Sequence, residues 1–452
     1  MTASADVVIV GAGIAGVSAA HELAVRRGFE KVVIVDPRPP LSLTSDKSTE
    51  CYRNYWPNLP MVALMNRSID LLDEMSLASG NAFGLNRRGY LFVTAKQERL
   101  MELVESSHVS SSFGSGPVRI HHDPDSYRAA DDGFDVLANS ETLRQHFPYL
   151  TGEAVGALHV RRAGWFSAQQ LGSWMLEQAK DRDAEVVVDE VIDIDIAGGQ
   201  VRSVKLASGR VITTSVVIDA AGPLSPNVAR LAEVDLPVFS ELHLKVAFRD
   251  HLEVVPRNAP MIIWSDPQTI AWSDEEKTEL LNQDRHQLVA EMPIFCHGRP
   301  EGGAESPYLL ALWEYHKAVT EPLWPLPTDP LYPEVVMRGM ATMVPELGEY
   351  LDRLPHSVVD GGYYSKTREN RPLIGPAGPK GFHLMSAMSG FGVMVAAGAA
   401  DLVASHITGG PVAEYAKSFL LSRYDDPDYV AQIAALEDAA LEDAGLEDAG
   451  QL

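Results

Sequence analysis

At 452 residues, 46% of them hydrophobic, the chain is long enough to bury the cores of two domains. Its net charge of −25 opposes a nucleic-acid partner, which needs clustered Lys and Arg. Two cysteines, Cys51 and Cys296, are too few for a disulfide framework or a cysteine-rich metal site, so no metal is expected. No apolar run approaches a membrane span and the N-terminus leads almost directly into a strand, so a cytoplasmic protein with neither signal peptide nor membrane span is expected.

The first element is the most informative. Val7 to Val10 form an apolar, β-branched run of the kind a parallel sheet buries on both faces, and Val32 to Val35 form a second after an intervening helix. Between them stands G-x-G-x-x-G as Gly11, Gly13 and Gly16. In this setting Gly11 permits a tight turn, Gly13 lets a pyrophosphate approach the backbone, and Gly16 lets the helix pack closely on the strand. The free amides and positive dipole end of that helix then face phosphate. Asp36 closes the second strand, where a carboxylate accepts hydrogen bonds from ribose hydroxyls. A dinucleotide therefore lies against the N-terminal block, with the choice between NAD and FAD open at this point.

A second block begins at Gly164-Trp165-Phe166. A helix is expected over Ala168 to Ala179, with Leu171, Trp174, Met175 and Leu176 on one apolar face. Strands follow at Glu185 to Val188, Val191 to Ile194, Val201 to Leu206 and Val211 to Thr213, punctuated by Gly198-Gly199 and Ser208-Gly209. The block ends in VVIDAAG, Val216 to Gly222, an apolar strand running into small residues that allow close backbone approach. The third block, Gly361 to Gly410, reads GGYYSKTRENRPLIGP, then the strand FHLMSA, then the turn SGFG opening an apolar helix over Val393 to Ile407. It aims a second helix N-terminus at the dinucleotide.

The intervening segments differ, with alternating strands at Tyr90 to Val93, His243 to Phe248 and Tyr308 to Trp313 and a Pro-rich run from Pro322 to Pro333. The expected architecture is α/β: a Rossmann-type, doubly wound dinucleotide domain from 1–89, 157–235 and 358–424, interleaved with a mixed or antiparallel-sheet substrate domain from 90–156 and 236–357. Residues 425–452 hold nine acidic and no basic residues and repeat Leu-Glu-Asp-Ala from Leu436, which reads as a solvated, partly helical or disordered tail.

GAGIAG with its distal acid, VVIDAAG, and ENRPLIG followed by SGFG, in this order along nearly the whole chain, resemble the D-amino acid oxidase and sarcosine oxidase family of FAD enzymes. The resemblance implies FAD in extended form. Gly11, Ala12, Gly13, Ile14, Ala15 and Gly16 match the pyrophosphate turn, and Asp36, followed by Pro37 and Arg38, the ribose acid. Val191 matches the backbone that holds adenine, and Ala221 and Gly222 the small residues near the pyrophosphate. TSDKSTECYR looks like the family's loop along the isoalloxazine, making Ser48, Thr49 and Arg53 flavin contacts. Gly390, Phe391, Gly392, Val393 and Met394 match the loop that faces the flavin pyrimidine. The implied chemistry is hydride transfer from a C–H beside nitrogen to flavin N5, giving an imine, with a secondary or N-alkyl amine favoured.

The chain departs from the family at two positions. Sarcosine oxidases grip the substrate carboxylate with an Arg three residues past the flavin-loop Arg and a Lys two residues past the second Gly of the C-terminal turn. Counting here gives Trp56 and Met394. Either the substrate is an amine with an apolar part against Trp56 and Met394, or its acid is held elsewhere, by Arg371, Lys366 or Arg53. Tyr55 and Tyr364 are expected as pocket wall, Tyr364 as a catalytic residue. Where some relatives attach the flavin through cysteine this chain has Gly362, so non-covalent FAD is expected. LLALWEYH resembles the strand that carries the family's oxygen-activating Lys, which places Leu312 at the Lys and His316 at an active-site His, with Lys245 or Lys317 as substitutes. An FAD-dependent 2-hydroxy acid or glycerol phosphate-like dehydrogenase, and a flavin-bearing subunit of a larger complex, are the alternatives. Oxygen or another acceptor takes the electrons, and oligomeric state is not encoded in the pattern.

Overall fold

The computed structural model describes residues 3–442 apart from 304 and 317. A six-stranded sheet runs in the order Glu185–Val188, Val32–Asp36, Val7–Val10, Val217–Asp219, Phe382–Ser386, Leu373–Pro376, parallel except for the last pair. Val7–Val10 is buried at every position because it is covered on both sides. Val7 and Ile9 face a helical layer containing Ile14–His21, Leu59–Ser79, Ala168–Lys180 and Gly392–Thr408. Val8 and Val10 face a four-stranded sheet built from Ala3–Ser4, Val191–Ala197, Gln200–Leu206 and Val211–Thr213. The helical stretch Ser389–Thr408 reaches the length and hydropathy of a membrane span, contrary to the sequence expectation, but most of it is buried as the core helix of this layer.

The second sheet has nine strands, in the order Ser357–Lys366, Phe239–Arg249, Tyr308–Leu312, Cys296–Glu301, Met261–Trp264, Tyr90–Thr94, Gly156–Val160, Phe134–Leu137, Val118–His121. Its pairing is antiparallel except for two parallel neighbours, Met261–Trp264 with Tyr90–Thr94 and Val118–His121 with Phe134–Leu137. Gly156–Val160 and Ser357–Lys366 both pair here, so the boundaries drawn at 157 and 358 cut through this sheet rather than between sheets. One face packs Leu244, Val246, Phe248 and Trp313 against the helix Tyr332–Met343. On Phe239–Arg249 the alternation then puts Glu241, His243 and Lys245 on the opposite face. The chain closes with the helix Pro427–Glu442, and the remainder of the acidic repeat lies outside the described residues.

Candidate active site

A cavity runs from the Gly turn, between the two sheets, to the start of the helix Gly392–Thr408. At its N-terminal end the backbone is fixed before any ligand arrives. Gly11 has φ +106°, and a Cβ there would sit 2.5 Å from the Ala220 carbonyl oxygen. A Cβ on Gly16 would lie 2.0 Å from the Gly11 oxygen, so its absence is what lets helix and turn touch. The Ala12 amide donates to Asp36 Oδ2 at 2.8 Å and the Arg38 amide to Asp36 Oδ1 at 2.8 Å. Ser45 Oγ accepts from the Ile14 amide at 2.9 Å, which places a hydroxyl over the helix N-terminus.

At the other end Ala387 and Ser389 adopt left-handed φ of +54° and +47°, turning the chain from the strand Phe382–Ser386 into the helix at Gly392. Gly390 must lack a side chain, because a Cβ would fall 2.4 Å from the Tyr364 ring. Thr44, Ser365, Ser386 and Ser389 all line the cavity, and each has a buried hydroxyl without a hydrogen-bond partner. Buried hydroxyls are normally satisfied, so four orphans around one cavity fit a polar ligand rich in donors and acceptors. Lys245 also lines it, donating from Nζ to the Ser48 carbonyl at 2.8 Å, and burial lowers its pKa.

A smaller cavity adjoins the first and shares Thr49, Leu312, Tyr364 and Gly390 with it. Arg53 is one wall. Its side chain is buried, with Nε donating to the Tyr55 carbonyl at 3.2 Å and the guanidinium over the Trp56 and Tyr90 rings at 4.6 and 5.8 Å. Burial lowers its pKa, and among the described residues no carboxylate is in salt-bridge contact with it. Glu314 and His297 form another part of the wall. Tyr364 lies between the cavities, its ring stacked on His243 at 3.8 Å between centroids. His243 Nε2 is 3.1 Å from Glu241 and Nδ1 is 3.4 Å from Glu314, while Lys366 Nζ donates to Glu241 at 3.0 Å. Burial opposes a charged His243, but the two carboxylates outweigh it and raise its pKa. Burial likewise pushes Glu314 up, and the charge of His243 overrides this and holds the carboxyl below its ordinary range.

The larger cavity gathers Gly11, Ala12, Gly13, Ile14, Ala15, Asp36, Ser48, Thr49, Ala221, Gly222, Gly390, Gly392 and Val393. Arg53, Phe391 and Met394 line the smaller one, and Tyr364 lines both. Gly16 acts behind the turn. Pro37, Arg38 and Val191 border neither cavity; Pro39 lines the larger one beside Asp36, and Arg38 lies over the Trp324 ring at 5.6 Å. Four placements need correction. Trp56 is buried behind Arg53, its indole donating to the Arg53 carbonyl at 3.2 Å and packing edge-on against Phe391. Tyr55 points into the core, bonding Ser106 and packing on Phe92 and Phe134. Arg371 sits near Tyr429, with its carbonyl tied to Arg423. His316 lies past the strand end, 3.8 Å from Asp329 and beside Tyr315, and lines neither cavity. Lys366 is engaged with Glu241, and Lys317 lies outside the described residues. Sequence reasoning passed over Ser45, His243, His297 and Glu314. Ser45 and Glu314 did leave a signal, standing inside the segments TSDKSTECYR and LLALWEYH, and His243 opens an expected strand, whereas His297 stands in no segment singled out by the sequence.

A turn that presents helix amides beside a ribose-type acid, and a second sheet closing over the far end of the same cavity, define a dinucleotide-dependent redox enzyme. A sequence model of the family described as FAD dependent oxidoreductase matches residues 6–406, and the chain belongs to that family. The fold is similar to that of L-proline dehydrogenase from P. horikoshii (TM-score 0.73, 20% identity, covering 94% of this chain and 99% of that one). Glycine oxidase from Geobacillus kaustophilus (TM-score 0.72, 17% identity, 93% and 99%) and iminodiacetate oxidase from Chelativorans sp. BNC1 (TM-score 0.68, 17% identity, 92% and 98%) share it. The cofactor is FAD, and the four orphan hydroxyls, the Ile14 helix start and the Ser389–Val393 turn are the groups that fit it.

Proposed function

We propose that this enzyme oxidises the C–N bond of an amino acid or other carboxylate-bearing amine in the smaller cavity, with the carboxylate on Arg53. The observation that carries the reading is a buried guanidinium that lines the cavity and, among the described residues, makes no salt bridge, Glu314 on the same wall acting on it only at longer range. A desolvated cation is costly alone, and a planar fork suits a bidentate carboxylate. Of the two alternatives the sequence left open, this reading takes the second, with the acid held by Arg53 rather than at the position counting gives as Trp56. Glycine, proline and iminodiacetate, the compounds in the relatives' names, are all amines bearing a carboxylate, and two of them are secondary amines.

Bound FAD supplies an acceptor for the hydride of the carbon beside nitrogen. The chain's own groups position that carbon: Arg53 on the carboxylate, Leu312 and Tyr364 between the two cavities, and Met394 and Phe391 as apolar wall. The FAD is held without a covalent bond. Gly362 stands where relatives attach it, and Cys51, in the smaller cavity, is a thiol whose pKa burial raises, a poor nucleophile. Acid precipitation should therefore release the yellow colour into the supernatant.

The test is anaerobic addition of glycine, sarcosine, proline, iminodiacetate, benzylamine, lactate and glycerol 3-phosphate to the holoenzyme, following loss of the oxidised flavin band. Bleaching by a carboxylate-bearing amine is expected. Bleaching by lactate or glycerol phosphate, with none by any amine, would overturn the reading, and readmitting air then measures whether oxygen accepts the electrons.

A further inference from the structure

The smaller cavity carries opposite charges on its wall. Opposite the need for an anion at Arg53 stand two acceptors, the Glu314 carboxylate and one nitrogen of His297. His297 Nδ1 lies 2.7 Å from the Phe295 carbonyl, which can only accept, so Nδ1 carries the hydrogen. Burial lowers the pKa of this imidazole, which keeps it neutral and leaves Nε2 with a free lone pair. Glu314 is fixed from behind by His243, which is itself gripped by Glu241 and stacked on Tyr364. Glu314 thus has a charge partner behind the wall, and its charge also acts on Arg53 and His297. The remaining ionisable wall groups, Cys51, Tyr90 and Tyr364, are all driven by burial toward their neutral forms.

We propose that Glu314 and His297 Nε2 form a subsite for the substrate's amino group, so that the cavity selects a zwitterion over a hydroxy acid or a simple carboxylate. The inference deepens the reading above and rests on it for the place of the carboxylate. An ammonium offers hydrogens to both acceptors, whereas a hydroxyl has one and no charge to set against Glu314. The pair also meets a requirement of the reaction, since an ammonium has no lone pair to drive hydride loss. Its N–H bond breaks, Nε2–H forms on His297, the electron pair stays on the substrate nitrogen, and Glu314 stabilises the imidazolium.

Three probes of one shape test the subsite: 2-aminoisobutyrate, 2-hydroxyisobutyrate and isobutyrate. None has a hydrogen on the carbon beside nitrogen or oxygen, so none can reduce the flavin, and binding is read from perturbation of the oxidised flavin spectrum. The wild-type holoenzyme is expected to bind 2-aminoisobutyrate about tenfold or more tightly than either other probe, the scale of a charge-assisted hydrogen bond. Glu314→Gln and His297→Gln should each cut that preference to about threefold or less while leaving the isobutyrate affinity and FAD content near wild type. Equal binding of all three probes by the wild type, or a preference that survives in both variants, would overturn the proposal. Because the probes cannot react, the result stands apart from turnover: a preference for 2-aminoisobutyrate in an enzyme that no amine bleaches supports the subsite and sinks the proposed reaction.

Discussion

Replacing Arg53 with Met puts a number on the role assigned to it. The side chain is 3% exposed, makes no salt bridge among the described residues, and is held by a hydrogen bond to a carbonyl and by two rings, with Glu314 acting on it at longer range. Removing one member of a buried, hydrogen-bonded charge pair costs about 2–5 kcal/mol, which is roughly 30- to 4000-fold in Kd. The Kd of isobutyrate, read by flavin perturbation, should rise within that window in Arg53→Met. Arg53→Lys keeps the charge but loses the planar fork, so it should fall between wild type and Met. Stability should move little, because losing the contact with Trp56 removes about 0.5–2 kcal/mol while removing an unpaired buried cation returns a similar amount. An isobutyrate Kd within threefold of wild type in the Met variant, with FAD retained, would refute the assignment of the carboxylate to Arg53.

Three further outcomes follow from the same structure. Gly16→Ala forces a Cβ to within 2.0 Å of a backbone oxygen and should yield protein largely stripped of FAD, whereas Gly198→Ala, in a hairpin turn that lines neither cavity, has open space, meets only a left-handed φ of +61°, and should cost about 1–2 kcal/mol with FAD retained; comparing the flavin-to-protein absorbance ratios checks the contrast. Burial raises the Asp219 carboxyl to about 7, so the stability it contributes is complete below the ordinary carboxylate range and is lost as pH rises through about 7. That shift of roughly three pH units corresponds to about 4 kcal/mol, so Asp219→Asn should gain on wild type in melting temperature between pH 4 and pH 8, and a pH-independent gap between the two would dismiss the idea. Cys51 and Cys296 are both buried with raised thiol pKa values, so a maleimide should label the native holoenzyme at neither and the denatured chain at both; rapid labelling of one thiol in the native state would contradict the burial.

The parts of this molecule legible in its sequence are those where local physics and the long-range fold make the same demand. A strand covered on both faces must be apolar throughout, so Val7–Val10 and Val32–Asp36 announce themselves, and a turn with no room for Cβ must be Gly, as at Gly11 and Gly16. The smaller cavity obeys no such local rule. Counting three residues on from Arg53 cannot reveal that the strand Cys51–Arg53 ends there and that Trp56 then folds back behind it. Likewise Leu312, Glu314 and His316 share one parity, but the strand stops at Leu312, so the chain delivers Glu314 to the cavity and carries His316 away toward Asp329. The alternation of Glu241, His243 and Lys245 with Leu242, Leu244 and Val246 was readable, and by itself it describes a sheet with one wet face. What it does not give is the second domain lying over that face, which turns an apparent solvent side into the wall of a flavin cavity. A polar stripe that is buried needs partners, and here it finds them in pairs: Lys366 on Glu241, and both Glu241 and Glu314 on His243. Arg53 faces the smaller cavity from one part of its wall and His297 Nε2 and Glu314 from another, and those are the groups that a substrate with one acidic and one basic end would complete.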